Sequence, residues 1–162
     1  MKQKHEITIP LNDQLGVTGF LKIPCEADKL VIFSHGSGSS KHSPRNHHVA
    51  NIFNNHNIAT LLTDLLTPEE DSDFENRFNI DLLTERLIDI TQWVLLQHEL
   101  RTMSLGYFEA STGVAPPDSA NKVKKQVDDF ICLHTPESFY GVGRFYENFD
   151  EVTDDKMIQL LK

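Results

Sequence analysis

In the larger, N-terminal part of the chain, apolar residues follow patterns that predict β-strands. Nearly alternating apolar positions predict two antiparallel strands at 4–10 and 15–23. A continuous apolar run at 30–33 is typical of a strand that is buried on both faces, and the segments 58–66 and 102–110 predict two more strands. The sequence therefore predicts a five-stranded sheet in which the strands at 30–33 and 58–66 are buried.

Two segments between these strands show helical spacing instead. Ser43 is a candidate N-cap, and Pro44 suits the first position of a helix. Four side chains of this helix are predicted to share one face, namely Val49, Ile52, Phe53 and His56. A longer helix carries a single apolar stripe, formed by Ile80, Leu83, Leu87, Ile90 and Val94. The acidic segment 67–78 before it is predicted to be a solvated loop.

The element order β-β-β-α-β-α-β predicts an α/β fold with a mostly parallel sheet flanked by helices. With a later strand at 129–133, the sheet would have about six strands. Ligands of such sheets bind at the carboxyl ends of the strands. Two of these ends continue into loops that could carry chemistry, "SHGSGSS" at 34–40 and "EASTG" at 109–113.

The second loop is similar to the strand–turn–helix motif G-x-S-x-G, which presents a nucleophilic serine. Ser111 occupies the nucleophile position, and Glu109 replaces the first glycine. A side chain at that position would crowd the turn or force it open. Backbone N–H groups that stabilise an oxyanion are expected near Gly36 or Ser37 in the first loop, and at Thr112.

Residues 15–113 resemble the dienelactone hydrolase family of α/β-hydrolases. The stretches "LVIFSHGSGSSKHSPRN", "NIATLLTDLLTPEE", "RFNIDLLTERL" and "GYFEASTG" carry this resemblance. It implies hydrolysis of esters or lactones through a serine-type triad, with Ser111 as the nucleophile. Relative to that family, the expectation is a truncated α/β-hydrolase-like sheet, with residues 1–113 as the N-terminal part of the domain.

Residues 114–162 resemble a different family, the C-terminal end of a bacterial phosphoribosyltransferase, chiefly through "TPESFYGVGRFYENF". This segment is expected to complete or cap the same domain. It contains His134, the one histidine after Ser111 and hence a candidate general base. Pro116 and Pro117 are expected to stop the helix that should follow the serine turn. The hybrid arrangement suggests a deletion between two neighbouring genes.

Composition narrows the classes of partner. The chain has 162 residues, which indicates one domain, and a formal net charge of −9, which argues against nucleic acid and acidic membranes. The first residues contain no apolar signal segment, so a cytoplasmic location is expected. Cys25 and Cys132 are interpreted as reduced thiols in or near the core. No cofactor or metal is expected, since the spacings of His42, His47, His48 and His56 do not suit a metal site.

These observations leave three functional hypotheses. The first is a serine hydrolase of small-molecule esters or lactones, whose incomplete site would give weak or no activity. The second is a non-catalytic remnant that at most binds a small molecule or a partner. The third is a phosphoribosyltransferase-related activity, against which the lack of a diphosphate-binding loop argues. An uncovered sheet edge would also favour a homodimer.

Overall fold

A computed structural model describes residues 5–12, 15–34, 40–109 and 116–125. Five strands in this part form a single sheet, β1 (His5–Pro10), β2 (Gly16–Lys22), β3 (Lys29–Ser34), β4 (Ile58–Thr63) and β5 (Ser104–Glu109). Their spatial order is β1-β2-β4-β3-β5. The strands β4, β3 and β5 are parallel, whereas β2 is antiparallel to both β1 and β4. The predicted α/β fold, element order and mostly parallel interior are confirmed.

Helices lie on both faces of this sheet. They are α1 (Pro44–Asn55), α2 (Pro68–Asp71), α3 (Ile80–Leu96) and α4 (Pro117–Lys124), with a 3₁₀ turn at Phe74–Phe78. The predicted strand at 129–133 lies outside the described residues.

Alternate residues of β3 face two separate apolar layers. Leu30 and Ile32 are fully buried with the α3 residues Ile90 and Val94 in the larger layer. Phe33 belongs to the smaller layer, which α1 covers. This alternation follows from the two-residue period of a strand, and it explains why β3 reads as a continuous apolar run.

The inward face of α1 differs from the prediction. Ile52 is 43% exposed and His56 is also exposed, while the helix buries Asn46, Ala50 and Asn54. Asn54 can face inward because its side-chain amide donates to the Ile58 carbonyl and the Thr60 hydroxyl.

The beginning of α1 and one cysteine also differ from expectation. Pro44 begins α1 as predicted, and Ser43 holds the N-cap position. The Ser43 side chain forms no capping hydrogen bond, however, and its buried hydroxyl has no hydrogen-bond partner among the residues that the structure describes. Cys25 is exposed rather than near the core, because it lies in the turn between β2 and β3.

The acidic segment 67–78 is ordered into α2 and the 3₁₀ turn, whereas a loop was predicted. The Thr67 hydroxyl accepts from the Glu70 backbone N–H, and the Glu70 carboxylate accepts from the Thr67 backbone N–H. Such a reciprocal capping box satisfies two free donors at a helix start. Arg77 and Arg86 bind Asp71 and Glu70, so the acidic residues are paired instead of merely solvated.

Candidate functional site

The ends of β3 and β5 lie side by side in the sheet. Ser34, the last residue of β3, is the register partner of Glu109, the last residue of β5. Because β3 and β5 are parallel, the chain leaves both strands at the same edge of the sheet, the one formed by the carboxyl ends of the strands. The segments that follow, 35–39 and 110–115, are therefore the ones predicted to carry the oxyanion donors and the nucleophile.

All five predicted site residues lie outside the described part of the chain. Gly36 and Ser37 follow Ser34, and Ser111 and Thr112 follow Glu109 by two and three positions, whereas His134 is farther along the chain. The distances among these residues stay predictions. What the structure supplies is the frame on either side, formed by Ser34, Ser40, Glu109 and Pro116.

A charged cluster at the same edge was missed by the sequence interpretation. The Lys41 ammonium group donates to Asp64 Oδ2 at 2.7 Å and to Thr18 Oγ1 at 2.6 Å. The backbone N–H of Lys41 donates to Asp64 Oδ1 at 2.9 Å. A single lysine thus binds both carboxylate oxygens of Asp64, the residue that follows β4.

Burial makes this cluster stronger than a surface ion pair. The side chains of Lys41 and Asp64 are 10% and 24% exposed. A lysine is rarely buried to this extent unless its charge is paired, so the structure depends on the Asp64 partner. Asp64 is itself held by a 3.4 Å hydrogen bond from its backbone N–H to the Thr18 carbonyl.

Because Asp64 follows a buried strand, its carboxylate is a candidate to orient a catalytic histidine. Its two carboxylate oxygens instead accept hydrogen bonds from Lys41. The sequence does carry a signal for this pair, since a lysine follows a Gly/Ser-rich loop and an aspartate follows the neighbouring buried strand. Because β3 and β4 are adjacent in the sheet, Lys41 and Asp64 lie close together.

Histidines near this edge pack against an aromatic ring. The rings of His42 and His47 lie 5.3 and 5.7 Å from the ring of Phe20 in β2. Among residues 5–12, 15–34, 40–109 and 116–125, no three His, Cys, Asp or Glu side chains are grouped closely enough to hold a metal ion.

The helix α4 begins at Pro117, one of the two prolines that were expected to stop a helix here. It packs against α3, with Ala120 buried and Val123 against the larger apolar layer. Hence a helix does follow the serine turn on the α3 face of the sheet, beginning six residues after Ser111. The two prolines precede and begin this helix, and Pro117 occupies an early position where its missing N–H is tolerated.

Solved structures with this fold are α/β-hydrolases. A dienelactone hydrolase from Anabaena variabilis ATCC 29413 is 40% identical, with a TM-score of 0.63 over 68% of this chain and 52% of that one. A cold-adapted esterase from an Arctic intertidal metagenomic library is 14% identical, with a TM-score of 0.54 over 77% of this chain and 57% of that one. The second likeness shows the fold alone, and the first supports the predicted resemblance to dienelactone hydrolases.

Curated relatives connect the chain with the second family. Two Mycobacterium tuberculosis proteins, from strains CDC 1551 / Oshkosh and ATCC 25618 / H37Rv, are each called "Putative phosphoribosyl transferase". Each is 50% identical over 97 residues, which are 60% of this chain and 22% of the relative. The chain thus resembles both families. An alignment of this length cannot fit within 114–162, so it includes part of the hydrolase-like region.

The chain matches no protein-family model. Within the described residues, no helix is long and apolar enough to cross a membrane.

Proposed function

We propose that this chain is a serine hydrolase of small-molecule carboxylic esters or lactones, with Ser111 as its nucleophile. The observation that carries the proposal is the register pair of Ser34 and Glu109, because it starts both site-bearing segments from neighbouring strand ends. A nucleophile and its oxyanion donors must act on the same carbonyl group, so they must come from adjacent loops. The 40% identity to a dienelactone hydrolase supports the choice of substrate class.

In this mechanism the Ser111 hydroxyl attacks the carbonyl carbon while His134 accepts its proton. Backbone N–H groups at Gly36 or Ser37 and at Thr112 stabilise the oxyanion of the tetrahedral intermediate. The intermediate collapses to an acyl-enzyme, and His134 returns the proton to the leaving alcohol oxygen. Water then attacks the acyl-enzyme, and the carboxylic acid leaves. With a lactone, the alcohol and the acid belong to one product.

The activity is expected to be weak for two reasons. Glu109 stands where the motif has glycine, and its side chain opposes the tight turn that exposes the serine. Asp64, which follows β4 and is a candidate to orient His134, accepts hydrogen bonds from Lys41. A carboxylate whose charge is already paired with a lysine stabilises a protonated histidine less.

Two other functions remain as alternatives. A non-catalytic binding role predicts a folded protein that retains a ligand but turns over no ester. A phosphoribosyltransferase-related role rests on the name of the two curated relatives, of whose length this chain spans 22%. Such a role requires a diphosphate-binding loop, and the sequence offers none.

Hydrolysis of a panel of aryl esters and small lactones tests the proposal. We expect slow turnover that Ser111→Ala abolishes. The matched control is Ser104→Ala, since Ser104 is an exposed serine at the opposite end of β5. Activity that survives Ser111→Ala, or no activity towards any member of the panel, contradicts the proposed function.

We further propose that the protein pairs with a second copy along β5. Among the described strands, β5 is bonded only to β3, which leaves its other edge without a neighbour in this part of the chain. A strand edge without a neighbour exposes unpaired backbone N–H and C=O groups and can accept another strand.

A further inference from the structure

The first turn of α1 carries most of the buried polar atoms that lack a hydrogen-bond partner. Among the residues that the structure describes, four buried side-chain atoms are unpaired in this way, and three of them are Ser43 Oγ, Arg45 Nε and Asn46 Oδ1. Ser43 is 8% exposed and Asn46 is 3% exposed. Buried polar groups are nearly always paired in folded proteins, and an unpaired one is destabilising. Three such atoms on one turn therefore mark a place where a bound ligand would be stabilising.

These side chains lie at the uncapped start of a helix. Ser43 holds the N-cap position, but its hydroxyl forms no capping hydrogen bond, and the first turn contains no acidic residue. The first backbone bond of the helix runs from the His47 N–H to the Ser43 carbonyl at 3.0 Å. Because Pro44 has no N–H, the donors that remain at this end are the backbone N–H groups of Arg45 and Asn46. The helix dipole adds partial positive charge at the same point, so this end favours an anion.

The inward face of α1 shows where two of the unpaired atoms lie. Asn46, Ala50 and Asn54 are spaced by four residues and are all buried, so they form the face that packs on the sheet. Ser43 precedes Asn46 by three residues and continues this face to the start of the helix. At the far end of the face, the Asn54 amide donates to the Thr60 hydroxyl. The polar atoms of Ser43 and Asn46 therefore face the space between the first turn and the carboxyl edge of the sheet.

Arg45 supplies a full positive charge to this turn. Its Nε is buried, and no carboxylate of the described part of the chain pairs with its guanidinium group. This distinguishes it from Arg86, whose Nε is also unpaired but which contacts Glu70 through another nitrogen. The charge of Lys41, four residues earlier, is matched by Asp64. An anion at the first turn would thus be bound by a cation that has no other ionic partner within the described residues.

From these observations we propose that the first turn of α1 binds a phosphate group. The donors are the Ser43 hydroxyl, the Arg45 Nε–H and the backbone N–H groups of Arg45 and Asn46, and a half-turn of the Asn46 amide adds its NH₂ group. A carboxylate accepts through two oxygens, whereas a phosphate group has three and carries more charge, so it can satisfy more of these donors. Free N–H groups at a helix start suit the same ligand. The site requires no property of Ser111, so it is independent of the proposed hydrolase function.

A titration with inorganic phosphate at constant ionic strength, followed by the amide NMR signals of the isotope-labelled protein, tests the site. The signals of Arg45 and Asn46 are expected to shift most and to saturate, because their N–H groups become hydrogen-bonded to the ligand. Titrations with phenyl phosphate and acetate identify the source of the anion. Tighter binding of phenyl phosphate would indicate a phosphorylated small molecule, and tighter binding of inorganic phosphate would indicate the free ion. Equally tight binding of acetate would overturn the choice of a phosphate group.

Variants at this turn separate a specific site from a general attraction to positive charge. Arg45→Met should weaken phosphate binding on the order of tenfold, as loss of one charge-assisted hydrogen bond implies. The matched control is Arg101→Met, which removes the same charge from an exposed position and should leave the Kd unchanged. Ser43→Ala should also weaken binding, yet it should not lower the midpoint of urea unfolding in phosphate-free buffer, because the Ser43 hydroxyl forms no capping bond.

Three results would overturn the proposal. Signals of Arg45 and Asn46 that do not move with phosphate exclude the site, and this measurement needs only the wild type. Equal weakening of binding by Arg45→Met and Arg101→Met would show a non-specific attraction. A clear loss of stability in phosphate-free Ser43→Ala would show that the hydroxyl already caps the helix in solution. None of these measurements involves ester hydrolysis, so failure of the proposed function leaves their outcome unchanged.

Discussion

Ser34 and Glu109 are register partners at the last positions of two parallel, adjacent strands. This pairing places the residue that departs from the serine-turn motif directly beside the start of the predicted oxyanion loop. The backbone of Glu109 belongs to β5 and is paired with β3, so the sheet fixes the backbone at the position where the motif has glycine. The identity of residue 109 should therefore affect the reactivity of Ser111 directly.

Glu109→Gly should increase the rate at which Ser111 reacts by about tenfold, because the strained turn no longer has to accommodate a side chain. The rate of ester hydrolysis or of fluorophosphonate labelling measures this effect. Glu109→Ala is expected to give a smaller increase, and a rate below that of the wild type in both variants would show that Glu109 assists the site.

The Arg86–Glu70 pair should add stability near neutral pH that is lost in acid. Burial opposes ionisation of Glu70, but hydrogen bonds from Arg86 and Thr67 outweigh it and hold the pKa of this carboxyl below its usual value. A lowered pKa in the folded state adds stability above the pKa of the unfolded chain, and this contribution is lost as the pH falls through the folded-state value. Urea unfolding between pH 7 and 3 should show a smaller loss for Glu70→Gln than for wild type.

At neutral pH, Arg86→Met should lower the free energy of unfolding by about 1–3 kcal/mol, since it leaves the Glu70 carboxylate without its charged partner. The exposed-pair variant Arg77→Met is the control and should cost less, because Arg77 and Asp71 are 34% and 50% exposed. An equal loss of unfolding free energy in Arg86→Met and Arg77→Met would contradict the claim that the more buried ion pair contributes more.

Ionisation of the buried Tyr107 hydroxyl should lower the stability of the fold in alkali. This hydroxyl lies 2.6 Å from Thr91 Oγ1, and burial raises the pKa of the Tyr107 hydroxyl above its usual value. Because the unfolded chain releases this proton first, the folded state loses stability as the pH rises above about 10 and towards the folded-state pKa. Tyr107→Phe should remove this part of the decline in urea unfolding between pH 8 and 11, and an unchanged slope would contradict the assignment.

The pairing of β5 with a second copy can be tested by sedimentation over a wide range of concentration. The wild type should sediment as a dimer, and Gly106→Lys should shift it to a monomer, since a charge beside the strand edge opposes pairing. The substitution fits the open space there, so the fold should survive. A wild type that is monomeric at every concentration would exclude the dimer.

The sequence predicted the sheet well because its signals are local. Continuous apolar runs indicate the buried strands β3 and β4, and the apolar stripe indicates the buried face of α3. The sequence missed α2 because a capping box formed by Thr67 and Glu70 resembles an ordinary acidic run. The inward face of α1 was misjudged because polar Asn54 is buried with partners on β4.

The Lys41–Asp64 pair could not be predicted from either residue alone. It depends on the adjacency of β3 and β4, which the sequence order does not specify. The fold class and the strand ends that carry the candidate site follow from local pattern, whereas the Lys41–Asp64 pair follows from a tertiary contact.

The most direct test of the central claim is the intact mass of the folded protein after incubation with a fluorophosphonate. Such a probe reacts with an activated serine that has a working oxyanion site. The proposal predicts one added label per chain, lost in Ser111→Ala and retained in Ser104→Ala. A folded wild type that gains no label would contradict the claim that Ser111 is a working nucleophile.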